Sequence, residues 1–226
     1  MNNFVILSEK KWNKTLKEYC ENIFPDSNWI LIKTRGEFTY EFLKKVEPKK
    51  IFIPHWSYII PEKIFSNFEC IVFHMTDLPY GRGGSPLQNL IIRGHKETKI
   101  SALRVTKGID EGPIYLKKEL NLLGTAEEIF LRANDVIAEM IKEIIIENPE
   151  PKNQEGIPTF FKRRKPEQGD IGNLDQPEVI YNYIRMLDAK GYPKAFLETE
   201  YLKLEFSGAS IESDKIILAD VRIIKK

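Results

Sequence analysis

The stretch FHMTDLPYGRGGSP, residues 73–86, decides both the fold and the chemistry of this chain. A short apolar run leads into His74, and the glycines and prolines that follow are typical of a turn after a strand. A second turn, GIDEG at residues 108–112, carries Asp110. A neutral imidazole beside a carboxylate can take a proton from a nucleophile and return it to a leaving group. The sequence therefore predicts that His74 and Asp110 form a pair at strand ends.

Apolar runs alternate with helical patterns along the first half of the chain, which favours a parallel sheet with crossover helices. Strands are expected at residues 4–7, 28–33, 50–54 and 70–74, and helices at residues 10–21, 40–46 and 61–66. Parallel sheets of this kind bind ligands at the carboxyl ends of their strands. His74 ends one of these strands, so it is expected at the ligand-binding edge.

The middle of the chain predicts a helix over 85–93, a strand pair at 100–105 and 114–120, and then a long helix. Thr125 and Glu128 form a capping box at the start of that helix, which should end near Asn148. Residues 149–158 are polar and proline-rich and indicate an exposed connector. We therefore expect two domains, residues 1–150 and 151–226, the second ending in a hairpin over 201–224.

Composition limits the partners that this chain can have. The 34 basic and 33 acidic residues balance, so no overall positive field would attract a polyanion, and we expect no nucleic-acid partner. Cys20 and Cys70 have no CxxC spacing and no signal sequence before them, which indicates reduced thiols in a cytoplasmic protein. No apolar run approaches the ~20 residues of a membrane span, and no metal site is expected.

The run from His74 to Pro86, together with GIDEG, resembles the two signatures of the folate-dependent formyltransferases. The matching positions are His74, Leu78, Pro79, Arg82, Gly83, Pro86 and Asp110. The resemblance implies a Rossmann-like, mostly parallel α/β sheet with a small C-terminal α+β appendage. It also implies transfer of a formyl group from 10-formyltetrahydrofolate to an amine, with His74 taking the amine proton and Asp110 orienting or stabilising the imidazolium. Without the resemblance, His74 could be a structural histidine and Asp110 an ordinary turn aspartate.

Val72 departs from the family pattern, because it stands where the family carries an asparagine that stabilises the negative formyl oxygen. Valine cannot donate a hydrogen bond, and losing one such donor costs about 3 kcal/mol in other enzymes. Three hypotheses follow. A backbone amide or another side chain such as Thr76 serves instead, charged His74 serves, or transfer is slow or absent. Asn89 is interpreted as a helix-surface amide rather than as the substitute.

The resemblance extends to the donor site. The loop IPHWSYIIP, residues 53–61, resembles the family segment that grips the pterin ring, so Trp56, Ser57 and Tyr58 are candidate cofactor contacts. The two aromatic residues could equally belong to the core or to a domain interface.

Four residues near His74 are candidate ligand contacts. Arg82 beside Gly83 suits an anion, either the glutamate tail of the folate or a sugar phosphate, so Arg82 is a candidate for both cofactor and substrate binding. It could also be a solvated loop charge. Thr76 and Asp77 are candidate substrate contacts.

Two later stretches, FFKRRKPE at 160–167 and IYNYIRML at 180–187, resemble formyltransferases that modify amino sugars on nucleotide carriers. A diphosphate could also use the basic run over 162–165, which otherwise is a solvated face. The predicted substrate is therefore an amino-sugar nucleotide, and a homodimer is a further implication of the likeness. Two alternatives stay open: formyl transfer to another small amine, or a folate- or sugar-nucleotide-binding protein without turnover.

Overall fold

The computed structural model describes residues 1–10 and 12–226. Lys11, which belongs to the helix predicted from Lys10 to Glu21, lies outside the described residues. The strands are β1 Asn2–Ser8, β2 Ser27–Ile32, β3 Lys50–His55, β4 Cys70–His74, β5 Arg82–Gly83, β6 Glu97–Arg104, β7 Ile114–Asn121, β8 Phe160–Phe161, β9 Ala195–Glu198, β10 Leu202–Ser213 and β11 Ile216–Lys225. The helices are α1 Asn13–Ile23, α2 Tyr40–Val46, α3 Glu62–Phe65, α4 Pro86–Ile91, α5 Ala126–Glu147 and α6 Pro177–Leu187, with a 3-10 turn at Pro166–Gly169.

The main sheet has six strands in the order β2-β1-β3-β4-β6-β7. β1 pairs in parallel with β2 on one side and β3 on the other, β3 pairs in parallel with β4, and β6 is antiparallel to β4. The strand order thus reverses beside β1, where open α/β sheets form a ligand crevice. The predicted α/β fold with a mostly parallel sheet is confirmed.

The chain forms two compact units. The first contains residues 1–83, 99–120 and 131–160. A cluster of buried aliphatic and aromatic side chains covers one face of its sheet. Parallel strands that are buried on both faces carry apolar residues throughout, and the other face is apolar as well. On the other face the Phe4 and Trp29 rings stack with centroids 4.8 Å apart. This packing fixes the strands whose carboxyl ends carry the candidate site.

The second unit contains residues 84–98, 121–130 and 161–226. The strands β9, β10 and β11 form an antiparallel sheet, and α6 packs against β10. The hairpin predicted over 201–224 is present as β10 and β11. The buried guanidinium of Arg185 donates from Nη1 to the carbonyl oxygens of Leu122 and Gly124, at 2.6 and 3.0 Å. The division into domains 1–150 and 151–226 remains a prediction.

The sequence located most elements to within a few residues. The capping box is present, since the Thr125 amide donates to the Glu128 carboxylate at 2.7 Å and the Glu128 amide donates to Thr125 Oγ1 at 3.3 Å. Cys20 and Cys70 are both free and buried, and burial raises the pKa of each thiol to about 12. Within the described residues, the structure contains no helix long and apolar enough to cross a membrane.

The turn between β6 and β7 folds back tightly against β6 at Gly112. The Arg104 amide donates to the Pro113 carbonyl oxygen at 2.9 Å. A Cβ atom on Gly112 would lie 1.8 Å from the Arg104 carbonyl oxygen, which is far inside contact distance. Glycine is therefore required here if the Asp110 turn is to return against β6.

We expect Gly112→Ala to lower the free energy of unfolding by about 2 kcal/mol or more, because the backbone must shift to admit the methyl group. Gly36→Ala is the matched control, since a Cβ on Gly36 would meet nothing within 4 Å. Urea denaturation of the two variants measures the difference. Equal stabilities would contradict the tight return of this turn.

Candidate active site

His74 ends β4, and its side chain is buried, with only 6% of the residue exposed. Its Nε2 lies 2.8 Å from the Gly81 carbonyl oxygen, and its Nδ1 lies 3.5 Å from Asp110 Oδ2. The structure therefore brings together His74 and Asp110, the two residues that the sequence selected as a pair.

The imidazole of His74 lies between two protein acceptors. Nε2 lies against the Gly81 carbonyl oxygen, which only accepts hydrogen bonds. Nδ1 faces the Asp110 carboxylate. The protein therefore holds both ring nitrogens, which orients the imidazole at the end of β4.

Asp110 is held in an unusual backbone conformation. Its φ angle is +51°, in the left-handed region that residues other than glycine rarely adopt. Asp110 Oδ2 accepts a hydrogen bond from the Gly83 amide at 2.9 Å and faces His74. The Asp110 turn therefore needs support from neighbouring segments, because such conformations persist only where the surroundings impose them.

The glycine-rich turn supplies backbone groups on the other side of His74. Gly81 and Gly83 have φ angles of +75° and +106°, which explains the glycine at both positions. The Gly81 amide donates to Thr159 Oγ1 at 2.7 Å, and the Arg82 amide donates to the Thr159 carbonyl oxygen at 2.9 Å. These bonds aim the Gly81 carbonyl at the imidazole and the Gly83 amide at Asp110.

Arg82 is partly buried and is hydrogen-bonded to a distant segment of the protein. Its Nε and Nη2 donate to Gln154 Oε1 at 3.1 and 2.8 Å. Gln154 Nε2 in turn donates to the carbonyl oxygens of Asp110 and Gly112, at 2.8 and 2.9 Å. The cofactor and substrate roles of Arg82 and Gly83 remain predictions, but both residues lie beside Asp110.

The remaining predicted substrate contacts, Thr76 and Asp77, are largely engaged with the protein. Thr76 is fully buried, and its Oγ1 donates to the Gly81 carbonyl oxygen at 3.4 Å. Asp77 forms ion pairs with Lys117 and Lys99. Partial burial by itself would raise the pKa of Asp77, but the hydrogen bonds from the two lysines outweigh it and the pKa is lowered. Substrate binding by either residue stays a prediction.

Trp56, Ser57 and Tyr58 follow β3, which is the parallel neighbour of β4. The Trp56 ring contacts Phe38 at a centroid distance of 6.2 Å and Tyr58 at 5.4 Å. Trp56 thus packs partly against the core, while Tyr58 is about half exposed. The loop lies at the same strand ends as His74, and pterin contact by its residues remains a prediction.

The structure bears on which group could replace the hydrogen-bond donor that is missing at Val72. Val72 is partly buried against the apolar cluster of the first unit and offers no donor. The hydroxyl of Thr76 is already bonded to Gly81, and both ring nitrogens of His74 face protein acceptors. In this conformation neither suggested side chain presents a free donor, so a backbone amide or a movement on ligand binding would be needed.

Asn89 was interpreted as a helix-surface amide, and this is wrong, because only 5% of the residue is exposed. Its Nδ2 lies 3.0 Å from each of the carbonyl oxygens of Gly84, Ser85 and Lys162, and its Oδ1 accepts from Arg93. Asn89 ties α4 to the basic run within the second unit. Its amide is fully used there.

Sequence reasoning missed Gln154 and Thr159, which lie in or beside the region interpreted only as an exposed connector. Most of residues 149–158 are exposed, but the segment also pairs with β7, since Ile114 and Lys152 exchange two backbone hydrogen bonds. The residues that bond to the side chains of Gln154 and Thr159 lie 42 to 78 positions away along the chain. No local pattern marks contacts at that separation.

Comparison with known proteins finds two matching family models. The family model described as "Formyl transferase" matches residues 6–145, and a second, described as "Methionyl-tRNA formyltransferase, C-terminal domain", matches residues 166–224. Since the first covers more than half of the chain, the protein belongs to the formyltransferase family. Among the described residues, no cluster of three or more metal-ligating side chains occurs.

Three similar proteins illustrate the relationship. A solved structure of methionyl-tRNA formyltransferase from Clostridium thermocellum is 50% identical, with a TM-score of 0.96 and full coverage of both chains. Methionyl-tRNA formyltransferase from Thermotoga neapolitana is 30% identical over 76% of this chain, which spans only 58% of that relative's length. A sugar N-formyltransferase from a Shewanella species shares the fold at 14% identity and a TM-score of 0.67, over 88% of this chain and 94% of its own.

The formyl donor of this family is 10-formyltetrahydrofolate, and the residues present fit it. Thr106 Oγ1, in the segment between β6 and Asp110, is buried and has no hydrogen-bond partner among the described residues. A pterin ring carries alternating donors and acceptors, so a buried unpaired hydroxyl beside the Asp110 turn is a suitable contact. Thr106, the Asp110 turn and the 56–58 loop would hold the donor.

His55, at the end of β3, has a buried imidazole whose effect on stability can be measured. Its Nε2 is buried, and desolvation, helped by the charge of Lys10, lowers the pKa of His55 to about 4. The folded protein then keeps His55 neutral between about pH 4 and 6.5, whereas the unfolded chain protonates it near pH 6.5. Because the unfolded state binds the extra proton, stability falls as the pH drops through this window, by at most ~3 kcal/mol.

We expect this contribution to the pH dependence to disappear in His55→Gln and to persist in His95→Gln. Unfolding free energies measured between about pH 4.5 and 7 would show the difference as a shallower slope for the first variant. Parallel curves for wild type and His55→Gln would contradict the burial of a neutral imidazole.

Proposed function

We propose that this protein transfers a formyl group from 10-formyltetrahydrofolate to the amine of a nucleotide-linked amino sugar. The observation that supports formyl transfer best is the buried His74–Asp110 pair at the carboxyl end of β4, with 3.5 Å between Nδ1 and Oδ2. Family membership gives the reaction class, and the acceptor rests on the charge of the chain and on the sequence likeness.

The residues of the site have separate tasks in this reaction. When bound, 10-formyltetrahydrofolate supplies an electrophilic formyl carbon. His74 accepts the proton that the attacking amine loses and returns it to the folate nitrogen that leaves the formyl carbon, which requires one ring nitrogen to turn from its protein acceptor toward the amine on ligand binding. Asp110 then stabilises the imidazolium by charge, and the Gly81 carbonyl oxygen holds the other ring nitrogen. Burial of His74 keeps water away from the transferred proton.

Charge supports a small acceptor. The segment that matches the tRNA formyltransferase C-terminal family model, residues 166–224, contains six lysines and arginines but eleven aspartates and glutamates, a formal charge of −5. Proteins bind nucleic acid chiefly through lysine and arginine contacts to phosphates. This segment therefore offers no net positive charge to a tRNA, while the four positive charges of the basic run over 162–165, directly before it, are enough for a diphosphate.

Methionyl-tRNA is the second candidate acceptor, favoured by the names of the similar proteins. Both the C. thermocellum and the T. neapolitana relatives carry that activity in their names. The comparisons thus give no support to the exclusion of nucleic acid that the overall charge predicted. The third candidate, binding without turnover, is favoured by Val72.

Mass spectrometry separates these candidates. The protein is incubated with 10-formyltetrahydrofolate and, in separate reactions, with a panel of amino-sugar nucleotides and with methionyl initiator tRNA. We expect the mass gain of one formyl group on an amino-sugar nucleotide. Formylation of the tRNA alone would replace the proposed acceptor, and bound folate without any product would support the binding protein.

His74→Ala should lower turnover by about 10²- to 10⁴-fold, because it removes the proton acceptor. Asp110→Asn keeps the size of the side chain but removes the charge that stabilises the imidazolium, so we also expect a large loss. His95→Gln serves as the control with near wild-type turnover. Steady-state rates, measured with the acceptor that gains the formyl group in the previous experiment, decide the outcome. Full activity of His74→Ala would exclude His74 as the base.

A further inference from the structure

We propose that Gln154 is a positioning residue of this site, which holds the Asp110 turn and the Arg82 guanidinium in place with one side-chain amide. Its consequence for catalysis rests on the proposed formyl transfer, whereas its effect on the Asp110–His74 pair does not. Nothing in the sequence stretch around Gln154 marks it as part of a site.

The amide of Gln154 is fully used. Nε2 donates to the carbonyl oxygens of Asp110 and Gly112 at 2.8 and 2.9 Å, which uses both of its hydrogens. Oε1 accepts two hydrogen bonds from Arg82, at 3.1 and 2.8 Å, which uses both of its lone pairs. Four hydrogen bonds from one amide therefore connect two segments that both contact the reactive pair.

The bonds to the Asp110 turn act where the backbone needs them. Asp110 has a φ of +51°, so its conformation is maintained only by its surroundings. Gln154 fixes the carbonyl group of Asp110 itself, while the Gly83 amide fixes its carboxylate at 2.9 Å. Together they set where Oδ2 lies relative to the imidazole of His74.

The bonds to Arg82 orient its charge. Nε and Nη2 are taken by Gln154, and Nη1 is the guanidinium nitrogen without a hydrogen bond to any described residue. A planar guanidinium held along one edge is pre-organised to bind an anion with the remaining nitrogen. Gln154 thus couples an anion contact to the turn that carries Asp110.

The backbone around Gln154 is itself anchored on both sides. Before it, Lys152 and Ile114 exchange hydrogen bonds of 2.9 and 2.7 Å. After it, the Thr159 amide donates to the Pro79 carbonyl oxygen at 3.1 Å, and Thr159 Oγ1 accepts from the Gly81 amide at 2.7 Å. Gln154 is therefore held by β7 on one side and by the glycine-rich turn on the other.

Other residue types cannot reproduce these contacts. Glutamate cannot donate to the two carbonyl oxygens, asparagine is one methylene shorter, and methionine fills the space of glutamine without strong hydrogen bonds. Gln154→Met therefore removes the four bonds with little change in volume. Gln176→Met is the matched control, since Gln176 is exposed and its side chain makes no capping hydrogen bond.

The ring-proton chemical shifts of His74 in the ligand-free protein, measured by NMR, test the proposal directly, because they report the surroundings of the imidazole. Asp110 is the charged side chain within 4 Å of the imidazole among the described residues. If the turn loosens in Gln154→Met, the carboxylate moves relative to the imidazole, and these chemical shifts should change. Gln176→Met should leave them unchanged.

Arg82→Met separates the bonds that Gln154 makes to the Asp110 turn from those that it makes to Arg82. It removes the guanidinium but leaves the bonds from Gln154 to the Asp110 turn, so the His74 ring-proton shifts should change much less. An equal change in Arg82→Met, or no change in Gln154→Met, would overturn the proposal. Loss of folding in both Gln154→Met and Gln154→Ala would also overturn it, since Gln154 would then be required for folding itself.

Activity gives an independent readout. If the wild type transfers formyl groups, Gln154→Met should lower kcat about tenfold to a hundredfold, as small displacements of positioned groups do. If the wild type transfers none, the proposed function fails, while the His74 ring-proton shifts still decide the role of Gln154.

Discussion

The hydrogen bond from the Gly83 amide to Asp110 Oδ2 is the contact on which the site depends, because the same oxygen faces His74. It can form only if the turn after β6 doubles back toward the end of β4. Gly112 allows that return by leaving room for the Arg104 carbonyl oxygen, and the positive φ of Asp110 completes it. A strand end, a glycine-rich turn and a second turn thus converge on one carboxylate, and the first compact unit contains all three.

The sequence was sufficient to predict the sheet and the proximity of His74 and Asp110 because both leave local signals. β4 ends at His74 and α2 spans Tyr40–Val46, as expected, since apolar runs and turn residues mark such boundaries. Asp110 was identified because glycines flank it at fixed positions. Family membership then confirmed what His74 to Pro86 and GIDEG had indicated.

The support around the pair could not be predicted, since it consists of single hydrogen bonds between distant residues. Gln154 is separated from Arg82 by 72 positions, and Lys117 from Asp77 by 40. Asn89 was assigned to a surface because an amide in a short helix is ordinarily exposed. Its amide donates to the carbonyl oxygen of Lys162, 73 positions away, and no local periodicity reveals such a contact. A donor that compensates for Val72 leaves no local signal either, because it would come from elsewhere in the chain.

A crystal structure of the protein with an unreactive analogue of the donor that carries its formyl group on N10 tests the central claim most directly. We expect the pterin ring beside Thr106 and the Asp110 turn, and the formyl group within about 4 Å of the His74 imidazole, as a reactive geometry requires. The same structure would show which group faces the formyl oxygen above Val72. Folate bound away from His74 and Asp110, or no binding at millimolar ligand, would contradict a formyltransferase site at the end of β4.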